Sequence, residues 1–195
     1  MVAGQRKLVV MRVLAVALFT LLLSGATDDA RSAHDKLHVL QHGHPPAGTR
    51  ISLNNAELRA WVKDEAAYWA SFGATNLRFN LGPNRATGTA DIDFLKARKA
   101  ATGQDAGWLL KNLFSGTRPV SVTARFSSEG GRGRVDLERV EVNGVAVDGL
   151  ALDYLIQDYV KPNFPEARVS EWFPLDYRIE RFSVNPTGVT AVIGK

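Results

Sequence analysis

The sequence predicts an α+β domain, with a curved antiparallel sheet of about six strands, in three hairpins, packed against about three helices. Three observations carry that expectation. Alternating apolar stretches come in pairs joined by turns too short for parallel crossovers. Stretches with helical spacing separate those pairs. Two further segments, LERVEVNG over residues 137–144 and IERFSVNPTG over residues 179–188, echo each other. Each loses its apolar phase at a Glu-Arg pair and regains it on the next residue. A one-residue phase slip is the mark of a β-bulge, and bulges bend strands.

In chain order, the opening has the pattern of an export signal. Arg6, Lys7 and Arg12 precede an apolar run over residues 13–23, followed by the small residues Ser24, Gly25 and Ala26. The run is too short to cross ~30 Å of hydrocarbon, which needs about 20 residues. A cleaved signal over residues 1–26 places the protein in the periplasm or outside the cell; an uncleaved one would anchor it to the membrane. With no cysteine after the run, lipoprotein-type attachment has no acceptor. Residues 27–49 are polar, carry all four histidines and end in Pro45 and Pro46, and so read as a linker. Residues 50–195 read as a single domain.

Within that domain, Asn54 followed by Glu57 forms a capping-box pattern at a helix start. Leu58, Trp61, Val62, Tyr68, Trp69 and Phe72 continue an amphipathic helix to Gly73, with one gap at Glu65 and Ala66. The first hairpin spans residues 77–94 around Gly82, Pro83 and Asn84. A helical stretch follows, with a turn at Gly103, and then WLLKNLF over residues 108–114. The second hairpin spans residues 119–142 and turns at Gly130 and Gly131. A helix over residues 149–160 is stopped by Pro162, and a third hairpin over residues 177–193 turns between Asn185 and Gly188.

Charge and composition narrow the function. The formal charge of +4 falls close to neutral once the signal's three basic residues are set aside, and no basic face is concentrated enough for nucleic acid. Zero cysteines leave no disulfide and no thiolate metal site. His34, His38 and His42 have i, i+4, i+8 spacing, which on a helix would align imidazoles for Zn²⁺ or Cu²⁺. The neighbouring Gly43 and prolines favour a solvated linker instead, and no metal or other cofactor is expected. With every histidine in that segment, a Ser-His-Asp site has no base inside the domain. GGRGR at residues 130–134 opens no helix and so is a turn, not a phosphate loop. Asp91 and Asp93 share a strand face, yet two solvent-facing acids need no catalytic explanation. The chain reads as a non-enzyme.

The runs WLLKNLFSGTRPVSV, GRVDLERVEVNGVAVDGLALDYLIQDYV and FPLDYRIERFSVNPTGVTAVIG, in that order, resemble the LmeA-like family of bacterial exported proteins. That family is related in architecture to the tubular lipid-binding (TULIP) superfamily. The resemblance covers most of residues 50–195 and implies a half-barrel that holds phospholipid, or another acyl-chain lipid, between curved sheet and helix. Candidate lining residues are Trp61, Trp69, Trp108, Leu109, Leu113, Phe114, Tyr154 and Leu155 from helices, with Val120, Val122, Phe126, Val140 and Val142 from strands. A membrane surface is a further expected contact. The competing expectation is an envelope module that binds another protein through a sheet edge or the linker and takes no lipid.

Overall fold

The computed structural model describes residues 28–103, 105, 116–161 and 169–195. Among the described residues the architecture is α+β, with two antiparallel sheets and helices packed on them, and no closed barrel. The larger sheet has the order β2 (Ala74–Gly82), β3 (Arg85–Asp93), β4 (Thr117–Glu129), β5 (Arg132–Val142) and β6 (Val145–Ala146). The short strand β7 (Trp172–Pro174) pairs with the far end of β5. The two expected hairpins supply its four long strands, turning at Pro83-Asn84 and Gly130-Gly131.

The bulges fall where the phase slips. In β5, Arg139 pairs with Thr123 and Leu137 with Ala124, so Glu138 is the extra residue. The same holds in β8 (Ile179–Asn185): Ile179 pairs with Ile193 and Arg181 with Val192, leaving Glu180 over. In each case the bulge turns the glutamate of the Glu-Arg pair out of the alternation. Glu138 then reaches Arg85 and Arg125 at 2.5 and 2.7 Å. Hydrogen bonds from both hold its carboxyl below the usual glutamate range.

One correction concerns the third hairpin. β8 and β9 (Gly188–Ile193) do not extend the large sheet; they form a second sheet with β1 (Arg50–Asn54), in the order β1-β9-β8. The count among the described residues is therefore nine strands, not six. The edge of β8 that faces away from β9 lies across the turn end of the large sheet. Gly131 donates its N–H to Glu180 O at 2.8 Å, and Asn84 does the same to Val184 O at 2.8 Å. Between them, Ser128 Oγ donates to Phe182 O and accepts from Phe182 N, at 2.6 and 2.8 Å. Every second residue of that edge is thereby satisfied, so an otherwise open strand edge is closed without a further strand.

The second correction concerns the expected linker. From Asp28 to His42 the segment is helix α1, with Ala30, Ala33, Leu37 and Leu40 buried on one face. Ala33 and Leu37 pack on Trp61, while Leu40 packs on Ile179 and Ile193 of the small sheet. The polar residues that suggest a linker lie on the other side of this helix.

The predicted amphipathic helix is broken at its gap into α2 (Asn55–Asp64) and α3 (Ala66–Ser71). The capping box at its start is complete: Asn54 Oδ1 accepts from Ala56 N and Glu57 N, and Glu57 Oε2 accepts from Asn54 N at 2.9 Å. Glu57 is only 3% exposed, and its other oxygen accepts from Ser32 Oγ at 2.5 Å and Lys36 Nζ at 2.6 Å. Burial pushes this carboxyl up, but the bonds from Lys36, Ser32 and the Asn54 N–H outweigh it and hold the group below 4.5. Glu65, at the break, is 4% exposed, and burial pushes its carboxyl up against the opposing charge of His34.

Two glutamates eight residues apart thus act with opposite sign. Glu57, depressed, stabilises the fold above the ordinary glutamate value and loses that contribution as pH falls through its own lower value. Glu57→Ala is expected to cost about 2 kcal/mol at neutral pH; Glu57→Gln should flatten the fall in urea midpoint on acidification below pH 4.5. Glu65, raised, costs stability once pH exceeds 4.5, so Glu65→Gln should raise the midpoint at neutral pH. A fourth substitution tests the pairing of β1 with β9. A Cβ on Gly188, at φ 150°, would stand 2.1 Å from Leu53 O, so Gly188→Ala should cost about 2 kcal/mol or more in the same titration.

Candidate functional site

Register divides the large sheet into two unlike faces, because directly paired residues project to the same side. On one face Phe79, Gly88, Val122 and Val140 form a row across four strands. The adjoining rows are Leu81, Ala86, Ala124 and Leu137, and Ala90, Val120 and Val142. On the opposite face the rows are polar: Arg78, Thr89, Ser121 and Glu141, then Asn80, Thr87, Thr123 and Arg139, then Arg85, Arg125 and Asp136.

The apolar face is the candidate site. Its centre is covered, with Ala124 and Val140 each 7% exposed, while Phe79, Val120, Val122, Leu137 and Val142 are half-buried. At the turn end, the Phe126 ring meets Phe182 of β8 edge-on, with centroids 6.2 Å apart. The five strand residues expected from sequence, Val120, Val122, Phe126, Val140 and Val142, therefore share one wall. The first hairpin contributes Phe79, Leu81 and Ala90 to the same wall, a set that its own alternation could have supplied but that was not singled out.

The helical candidates divide. Trp108, Leu109, Leu113 and Phe114 lie outside the described residues. Trp61 is 6% exposed and belongs to the α1–α2 core with Ala33 and Leu37. Its indole nitrogen has no hydrogen-bond partner among the described residues, so the ring serves as packing volume. Trp69 is half-buried on α3, edge-on to Tyr68. Tyr154 and Leu155, both half-buried, sit on α5 (Gly149–Leu155), which continues into a π-helical turn, Ile156–Val160. That turn closes with Lys161 N donating to Ile156 O at 2.8 Å. Its wider winding places Asp158 and Tyr159 together beside Tyr154.

A polar relay results. Tyr159 donates to the Tyr154 hydroxyl, Tyr154 donates to Asp158, and Asp158 also accepts from Arg98 of α4 (Phe94–Thr102). Tyr159 packs edge-on against the buried Phe94 at 5.3 Å. Burial, more than the charge of Asp158 nearby, pushes both tyrosine hydroxyls above their ordinary range.

The remaining chemical candidates have structural employment. Asp93 caps α4 by accepting from Lys96 N at 3.0 Å, and Asp91 accepts from Asn76 Nδ2 at 2.7 Å. His34, His38 and His42 do share a helix. His34 Nε2 lies 3.4 Å from Asp64, and the rings of His38 and His42 are 4.8 Å apart. No group of three or more metal-ligating side chains is assembled among the described residues. Nor, among them, is any helix long and apolar enough to cross a membrane.

Comparison with protein-family models, with curated proteins and with solved structures finds no match for this chain.

Asp158 is the hinge of the relay, so Asp158→Ala should cost about 1–2 kcal/mol by stranding Arg98 and Tyr154. Amide exchange is expected to quicken first over residues 149–160; equal protection there would show that the relay does not hold the helix.

Proposed function

We propose that the protein binds an acyl-chain lipid, such as a phospholipid, against the apolar face of its large sheet, and works outside the cytoplasm as a non-enzymatic carrier. The observation that carries this reading is the continuous apolar wall four strands wide, half-buried around a covered centre. Such a wall suits a ligand with little directional chemistry. Each buried methylene contributes about 0.8 kcal/mol, so an acyl chain of ordinary length supplies useful affinity with no charged group at the site. The signal-like opening and the resemblance to exported lipid-binding proteins point the same way.

A second reading, contact with another envelope protein, is favoured by a different place. Val145, in the two-residue edge strand β6, and Leu150, shortly after it, are 66% and 88% exposed. An apolar pair beside a short sheet edge suits a protein partner.

Native mass spectrometry of the chain purified from a bacterial envelope separates the two. Lipid is expected to co-purify at close to one per chain. Val122→Glu should weaken uptake from phospholipid vesicles by more than about tenfold, because a carboxylate on the wall loses its hydration when a chain covers it. Circular dichroism on the variant guards against simple unfolding. A clean unliganded mass with no uptake from vesicles would overturn the lipid reading; loss of binding in Val145→Asp, with lipid uptake intact, would establish the partner surface.

A further inference from the structure

The polar face carries an independent feature. An open pocket of about 320 Å³ lies over β2, β3, β4 and the β5–β6 turn, on the opposite side of the sheet from the apolar wall. Its polar lining includes Arg78, Asp91, Thr89, Ser121, Glu141 and Asn76. Three of these charged groups differ in how they are engaged. Glu141 is paired with Arg139 at 2.7 Å. Asp91 accepts from the neutral Asn76 side chain at 2.7 Å, which orients the carboxylate, and no cation pairs with it among the described residues. Arg78 is exposed, and among the described residues no hydrogen bond or ion pair engages its guanidinium.

Arg78 contrasts with four other arginines of this face. Arg85, Arg125, Arg134 and Arg139 are each bonded to a carboxylate. Arg78 and Asp91 line one pocket without pairing, and the reason is the bulge in β2. The register slips between Thr75 and Arg78, and Asn76 takes a left-handed conformation at φ 53°. That conformation turns the Asn76 amide onto Asp91. Thr89, directly opposite Arg78 and two residues before Asp91, and Ser121 on the next strand bring hydroxyls to the same pocket, in the cross-strand row Arg78, Thr89, Ser121 and Glu141.

We propose that this pocket binds a small zwitterion, with its oxyanion on Arg78 and the Thr89 and Ser121 hydroxyls and its ammonium on Asp91. A simple anion would meet the Asp91 carboxylate, and a simple cation would meet Arg78. Only a ligand carrying both charges a few bonds apart satisfies the two together. O-Phosphoethanolamine and α-amino acids have this chemistry, and so does the head group of phosphatidylethanolamine.

The test is a titration of the ¹⁵N-labelled chain with O-phosphoethanolamine, followed by amide shifts. Saturable shifts are expected around Arg78, Thr89, Ser121 and Glu141. Arg78→Gln and Asp91→Asn should each weaken binding about tenfold or more, the loss expected for one charge-assisted contact. Inorganic phosphate and ethanolamine, each carrying one of the two charges, should bind the unmodified chain weaker by a similar factor. The rest of each variant's spectrum reports whether the fold is kept, and Arg78 is at the surface. Phosphatidylethanolamine vesicles that reproduce the shifts identify a lipid head group as the source; vesicles that do not identify a free zwitterion. The proposal is overturned by absence of saturable shifts in the pocket, by indifference to both substitutions, or by phosphate alone binding as well as the zwitterion. None of these outcomes depends on lipid uptake at the apolar wall.

Discussion

The carboxylate of Glu57 is the interaction on which the two halves of the small-sheet layer depend. One oxygen completes the capping box that starts α2; the other is gripped by Ser32 and Lys36, one turn apart on α1. A single buried acid thus fixes where one helix begins and where another docks. It does so at a net gain because its bonds come from an ammonium, a hydroxyl and a backbone N–H. Around it, Trp61 fills the space between the helices, and α1 extends over Ile179 and Ile193 to close the second sheet. Without this tie, α1 is left with the four buried apolar residues of its own face and the His34–Asp64 contact among the described residues.

The large sheet is organised by a different economy. Its polar face is knitted by ion pairs and by hydroxyls such as the Thr87–Thr123 pair at 2.9 Å, so little is asked of burial there. Its apolar face is the one with capacity to spare. The Glu138 bulge links the two: it bends β5 and at the same time frees a carboxylate to bridge Arg85 and Arg125. One extra residue sets both the curvature of the wall and the charge balance behind it.

How much of this the sequence discloses depends on how local the signal is. A bulge is a one-residue phase slip, and both Glu-Arg pairs announce theirs. A helix break needs only a gap in an apolar stripe, and Glu65 with Ala66 provides it. Two hairpins are given away by their glycine turns. α1 is harder. Ala30, Ala33, Leu37 and Leu40 do recur at helical spacing, but two are alanines and the surrounding histidines and prolines have the composition of a linker. The β8–β9 hairpin is legible from its turn, but its union with β1 in a second sheet is hidden, because the pairing of β1 with β9 leaves no mark in either strand. The site follows the same logic. Alternation in the second hairpin is enough to place Val120, Val122, Phe126, Val140 and Val142 on one wall. The Arg78–Asp91 pocket needs the register of three strands and the left-handed Asn76, neither of which a linear reading supplies.

That hidden pairing carries a consequence for how the chain reaches its native state. Ser52 and Thr190, whose hydroxyls meet at 2.8 Å, are 138 residues apart, and the core under α1 forms only once β9 has come back to β1. Contacts of such long sequence separation are entropically expensive to close and come late, which slows folding. The large sheet, built from consecutive hairpins, can assemble first. In the interval β1 waits with bare edges and α1 with an uncovered stripe, a species exposed to aggregation and to proteolysis. On this topology the return of the β8–β9 hairpin to β1 is the step expected to be slowest in folding.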